Sequence, residues 1–115
     1  MGQKVEYKQE LRATSDESDN VDIVDVKVPK GYKRTIQHVA CEDETEDYTY
    51  LRIGYLRDST YHWWEEQKSP KAATLYWMDE PKVLQEDDVL VCRFNGTTDE
   101  DKLVAYIDGY TEKVQ

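Results

Sequence analysis

Two histidines, two cysteines and several runs of carboxylates are the groups in this chain that could do proton-transfer, nucleophilic or metal chemistry. His38 and His62 have no neighbour at ligand spacing such as H-x-x-x-H, and Cys41 and Cys92 form no C-x-x-C pair. No set of nucleophile, base and orienting group can be assembled from these spacings. A catalytic role, a metal site and a cofactor are therefore not expected. The acidic runs Glu42-Asp43-Glu44, Glu46-Asp47, Glu86-Asp87-Asp88 and Asp99-Glu100-Asp101 all fall in predicted turns. Carboxylates on two loops at one end of a sandwich could hold Ca²⁺. The order Asp43-x-Thr45-x-Asp47 faintly echoes a calcium loop, but its glycine and distal glutamate are missing. Solvated turn residues are the simpler expectation.

The aromatic residues carry more information. Tyr61, Trp63, Trp64, Tyr76 and Trp77 all lie between positions 61 and 77 of the sequence. In a strand, Trp63 and Trp64 point to opposite faces, so one is expected in the core and the other outside or against a partner. An exposed Trp beside Tyr can anchor a protein interface or stack on a sugar ring. Which of the two tryptophans is buried is left open by the pattern.

Composition sets the frame for these groups. A chain of 115 residues is one domain with one core. Charged residues make up 35%, yet nine Tyr and three Trp are more aromatics than a disordered chain of that polarity carries. The net charge of −10 repels phosphate backbones and anionic membranes, so neither nucleic acid nor membrane is an expected partner. No apolar run approaches the ~20 residues that span a bilayer. Met1–Leu11 has no apolar signal core, which implies synthesis in a cytoplasm. Cys41 and Cys92 both sit in predicted strands and read as buried free thiols, with a strand-to-strand disulfide open to a protein that ends outside the cell.

Period-2 alternation recurs from Val21 onward. Val21–Val28 reads as a strand ended by Pro29-Lys30-Gly31. Tyr32–Cys41 follows, with Ile36 and His38 on one face and Val39 and Cys41 on the other. Thr49–Arg57 places Leu51, Ile53 and Tyr55 opposite Arg52 and Gly54. Asp58-Ser59-Thr60 is a hairpin turn into Tyr61–Glu66. Leu75–Met78 and Val83-Leu84 are short. Val89–Phe94 and Leu103–Ile107 flank a turn that opens on Asn95-Gly96, a strand–turn–strand pattern of the kind that closes an antiparallel sandwich. Residues 1–20 are poor in apolar groups. Val5, Tyr7 and Leu11 share one face of an extended strand, while Ala13–Asn20 reads as an acidic, Ser-rich tether. The expected organisation is an N-terminal arm and linker over 1–20, mobile until a neighbouring subunit accepts it, and a β-sandwich over 21–115.

The order V-P-K-G-Y, Y-L-R-I-G-Y, Y-H-W-W-E-E, A-A-T-L-Y-W-M-D-E-P, E-D-D-V-L-V-C-R-F-N-G-T and A-Y-I-D-G-Y resembles small all-β virion proteins of tailed bacteriophages. The likeness spans about Val21–Glu112 and contains no invariant chemical motif. It implies a jelly-roll-like sandwich; together with the strand pattern and the N-terminal segment, the expected fold class is all-β, a single antiparallel β-sandwich of jelly-roll type with an extended N-terminal arm. It also implies a protein that decorates or joins the head or tail of the particle. The favoured expectation is a capsid decoration protein binding the major capsid protein and its own copies as a homo-oligomer, and the net charge of −10 favours the outer surface of the phage head. Val5, Tyr7, Leu11, Tyr61, Trp63, Trp64, Tyr76 and Trp77 are the expected partner-binding residues. The alternative is a carbohydrate-binding module for glycan attachment, with Trp63 or Trp64 as the stacking platform.

Overall fold

A computed structural model describes residues 3–114, so residues 1 and 2 of the expected arm and residue 115 of the expected sandwich lie outside the described residues. The described chain is all-β: two antiparallel sheets packed face to face as a β-sandwich. The strands are β1 (Val5–Thr14), β2 (Asn20–Val24), β3 (Tyr32–Asp43), β4 (Tyr50–Arg57), β5 (Thr60–Lys68), β6 (Tyr76–Met78), β7 (Lys82–Leu84), β8 (Val89–Asn95) and β9 (Lys102–Lys113). The five-stranded sheet runs β1-β9-β3-β6, with β7 also on β3, and the four-stranded sheet runs β2-β8-β4-β5. The pairings β1–β9, β2–β8, β3 with β6 and β7, and β4–β5 nest inside one another.

Alternation builds the core between the sheets. Leu51 and Ile53 on β4, Leu90, Cys92 and Phe94 on β8, and Leu103, Ala105 and Ile107 on β9 all point inward and are buried. On these three strands one face thus loses its contact with water, which is the main favourable term in assembling the sandwich. Cys41 and Cys92 are both buried free thiols. They approach across the two sheets, and the Cys41 thiol is pushed well above its usual range by its hydrogen bond with Cys92 and by burial.

Three features differ from the sequence expectations. The first is the arm. Val5–Thr14 is not a free tether but the edge strand of the larger sheet, in unbroken antiparallel register from Val5 opposite Thr111 to Thr14 opposite Lys102. Its inward residues Tyr7, Leu11 and Ala13 pack on the core, so the apolar anchors are used inside the chain. The tether is fixed as well: the Ser15 N–H donates to the Asp101 carbonyl at 2.9 Å, and the buried Ser15 and Thr97 hydroxyls hydrogen-bond at 2.7 Å.

The second is the Asn95-Gly96 turn. β8 and β9 lie in different sheets, so this turn crosses the sandwich instead of closing a hairpin. Gly96 sits at φ +76, and a Cβ there would come within 2.1 Å of the Thr49 hydroxyl oxygen. A directly paired, tight hairpin joins β4 to β5, where Asp58 (φ 50) and Ser59 (φ 65) hold the two positive φ values that a right-twisting two-residue turn requires.

The third is His38. The register of β3 on β9 shifts between Ile36 and His38, so Gln37 is an extra residue. This bulge lets Ile36, Val39 and Cys41 all face the core and turns His38 to the outer face.

Candidate interaction surfaces

The expected aromatic group divides among three places. On the outer face of the smaller sheet, Tyr61 and Trp63 stack with ring centres 5.4 Å apart and planes 3° from parallel. Arg93 lies over both rings, at 4.5 Å from Tyr61 and 5.0 Å from Trp63, and Arg52 lies 4.5 Å from the Tyr50 ring. Arg93 is itself held by Asp22 through hydrogen bonds of 2.8 and 3.0 Å. Guanidinium groups stacked on aromatic faces keep their charge while covering apolar surface. Trp63 can lie flat here because its neighbour on β4 is Gly54, which leaves room for the indole.

Trp64 is the extra residue of a second bulge, where Ile53 pairs with Glu65 and Gly54 with Trp63. It turns the other way and packs on the core edge, 5.2 Å from Tyr55. His62 stacks on the same Tyr55 ring at 4.8 Å. The two tryptophans therefore serve opposite faces. Alanine at Trp64 is expected to cost about 2 kcal/mol or more, since an indole half-sealed in the core is lost. Alanine at Trp63 is expected to leave the urea midpoint nearly unchanged. Equal losses at both positions would show that the outer stack is part of the folding core.

On the outer face of the larger sheet, Trp77 is 67% exposed and Val83 is 49% exposed. Trp77 lies beside Ala40, which in turn lies beside Tyr106, and Val83 is linked through Thr35 to Tyr110. His38 sits 6.2 Å from Trp77. This is an apolar patch on the side of the sheet away from β1. Leu75, Tyr76 and Trp77 also line a groove of about 330 Å³ between the edges of β5 and β6, with Leu51 and Ile53 at its floor and Glu65, Glu66 and Gln67 on its rim. The Tyr76 hydroxyl accepts a 2.9 Å hydrogen bond from the Lys71 amide.

The remaining expected partner residues are placed differently. Tyr7 donates to the Asp25 carboxylate at 2.7 Å, and Arg34 lies 3.8 Å over its ring. Burial, then the hydrogen bond to Asp25, push the Tyr7 hydroxyl up to about 12. Arg34 completes the cluster by donating to the Val26 carbonyl at 3.0 Å and the Thr111 hydroxyl at 3.2 Å. Tyr7 thus closes one end of the sandwich, and Leu11 packs on the core beside it. Neither is free to anchor a partner, while Val5 remains 61% exposed. The sequence reading missed Arg52, Arg93 and His38 as members of these surfaces. Their signal was alternation with the aromatics, but strand order alone brings β8 next to β4.

The turn carboxylates are not all solvated. Asp43, Asp88 and Asp101 are at most 1% exposed. Asp43 accepts from the Thr45 and Glu46 amides at 2.9 and 3.1 Å, Asp88 from the Gln85 amide at 2.8 Å, and Asp101 from the Thr98 amide at 2.9 Å. Each folds back on its own turn, satisfying backbone N–H groups that the turn leaves unpaired. Asp88 also takes two hydrogen bonds from Arg57, at 2.8 and 2.6 Å. Asp47 caps the Ala72 amide at 2.8 Å. Among the described residues, no three His, Cys, Asp or Glu side chains converge as a metal-ligand set.

No family model and no curated protein matches the sequence. Three solved chains match in fold. One comes from Bacillus endospore appendages, a family of disulfide-linked pili; it superposes with a TM-score of 0.54 at 8% identity, covering 100% of this chain and 92% of that one. At that identity the likeness is one of fold alone.

Proposed function

We propose that this chain is a non-enzymatic structural subunit that docks onto a larger assembly through the aromatic face of its larger sheet. The observation that carries the reading is the exposure of Trp77 and Val83 on a rigid sheet, next to Tyr106, Tyr110 and His38. Large aromatic side chains held on a stiff scaffold lose little entropy on docking and are the usual anchors of protein interfaces. In its sharper form the assembly is a phage head, with this chain decorating the outer surface of the major capsid protein in a homo-oligomeric array. The net charge of −10 supports an outer position, away from packaged DNA. The nested strand pairing supports reading the sandwich as a jelly roll. The fold likeness to a chain of a pilus structure supports a structural role of some kind.

Purified protein is expected to co-sediment with capsid shells. Trp77→Ala should keep the fold and weaken binding by roughly 30-fold or more, as loss of an interface anchor does. Absence of the wild-type protein from the shell fraction, or binding unchanged by Trp77→Ala, overturns the reading.

A glycan-binding module is the second reading. It is favoured by the groove beside Trp77, which has the acceptor groups of Glu65 and Gln67 at its rim. Its volume is in the range of small-ligand sites. A saccharide-dependent change in tryptophan fluorescence, lost in Trp77→Ala and without shell binding, would select it.

A further inference from the structure

We infer that β1 is a self-complementary edge through which two copies of this chain pair, forming one continuous sheet across a two-fold axis at Gln9. The inference rests on reading the chain as an assembly subunit and names its first partner as a second copy. Four strands or strand pairs end the two sheets, and three of these edges are blunted. β2 has five residues, β5 is interrupted by the Trp64 bulge, and β6 and β7 have three residues each with Pro81 between them. Short, bulged or proline-broken edges resist pairing with another chain. β1 has ten residues, no proline and no bulge, and only one of its sides is occupied, by β9.

The charges on β1 then decide between repulsion and pairing. Its outward side chains are Glu6, Lys8, Glu10 and Arg12, alternating in sign and all exposed. The strand is therefore neutral within a chain of net charge −10. In an antiparallel pair centred on Gln9, Glu6 of one copy lies opposite Arg12 of the other, and Lys8 opposite Glu10. On the inner side, Tyr7 and Leu11 stay packed on their own core, and the exposed Val5 lies opposite Ala13. Centring the axis on Lys8 would set Glu6 against Glu10, and centring it on Glu10 would set Lys8 against Arg12. Axes at Tyr7 or Leu11 keep opposite signs together but overlap fewer residues of the strand. Parallel, in-register pairing would put every charge against its like. Directly opposed residues on paired strands are within ion-pairing reach, so these differences have energetic weight. At present Arg12 reaches Glu10 and Glu44, and Lys8 reaches Glu6 and Asp108, all at the surface. These are weak contacts that a second strand can replace. An axis perpendicular to the sheet also leaves both Trp77 faces on the same side, which suits two-point docking on one partner surface.

Sedimentation velocity tests the pairing. The wild type should show a reversible monomer–dimer equilibrium between about 1 µM and 1 mM, as a small interface gives. The variant Glu6→Lys with Glu10→Lys makes the outward row all positive, and Lys8→Glu with Arg12→Glu makes it all negative. Each should dimerise about 30-fold or more weakly, and an equimolar mixture of the two should regain the dimer as a mixed pair. Thermal melts of the separate variants confirm that both fold. If either does not, hydrogen exchange on the wild type replaces it, with β1 amide protection expected to rise with protein concentration. A dimer that persists in both variants, or a mixture of folded variants that stays monomeric, overturns the β1 contact while leaving docking through Trp77 standing. A wild type that remains monomeric at 1 mM, or β1 protection independent of concentration, also overturns it. Shell binding by such a monomer would show that the subunit docks singly.

Discussion

Raising the pH from about 4 to about 7 is expected to destabilise this protein, by more than about 1 kcal/mol, through the buried Asp43 carboxyl. Asp43 is fully buried, and burial followed by its contact with Asp101 pushes it up to about 7, against the partial relief of the Thr45 and Glu46 amides. Its Oδ2 has no donor among its neighbours, so its surroundings favour the protonated, uncharged form. The folded state therefore holds this proton more tightly than the unfolded chain does. Below pH ~4 both states are protonated and the contribution is complete. Between pH ~4 and ~7 the unfolded chain ionises first, and stability falls by about 1.4 kcal/mol per pH unit. Above ~7 the loss is complete. Asp88 works in the opposite sense. Burial opposes its charge, but Arg57 and the Gln85 amide outweigh burial and hold it below the usual carboxylate range, so its contribution is lost as the pH falls below about 4. Urea unfolding at pH 4.5 and 7.5 measures the slope. Asp43→Asn keeps both turn hydrogen bonds and supplies a permanent donor to Asp101, so it should flatten the slope and be the more stable form at pH 7.5. A wild type whose stability is level across this range, or a slope retained in Asp43→Asn, would rule out a raised Asp43 pKa as its source. The consequence is local: Asp43 and Asp101 join the β3–β4 turn to the β8–β9 crossing, so this end of the sandwich is where alkaline loosening should begin.

Gly54→Ala is expected to destabilise the protein by about 3 kcal/mol or more. A Cβ at this position would fall 2.0 Å from the His62 carbonyl oxygen and 2.8 Å from the Trp63 Cα. Both are backbone atoms of the paired edge strand, so no side-chain rotation relieves the overlap, and β5 has to move off β4. The outer stack of Tyr61, Trp63 and Arg93 should be lost with it, because Trp63 lies over the glycine. Near-ultraviolet circular dichroism should report that loss in whatever fraction remains folded, and a urea midpoint close to the wild-type value would show that the strand pair yields easily. Glycine is needed here for the close approach of the neighbouring backbone and ring.

Much of the fold was legible in the residues. The β4 pattern put Leu51, Ile53 and Tyr55 on one face, and all three pack on the core. Asp58-Ser59 marked the β4–β5 hairpin, and the opposed directions of Trp63 and Trp64 followed from strand geometry. These are local consequences: a period of two and a turn are written within a few neighbouring residues. What only the tertiary structure decided depends on which strands become neighbours. Alternation cannot show that β8 and β9 go to different sheets, or that Val5–Thr14 finds its partner in β9 at the far end of the chain. Nor can it show a bulge, since one extra residue at Gln37 reverses the side on which His38 is expected. The carboxylates illustrate the same limit. Asp43 and Asp101 read as solvated turn residues because a turn is polar whether or not it is covered. Their burial, and the raised pKa of Asp43, exist only because two turns far apart in sequence close over one end of the sandwich.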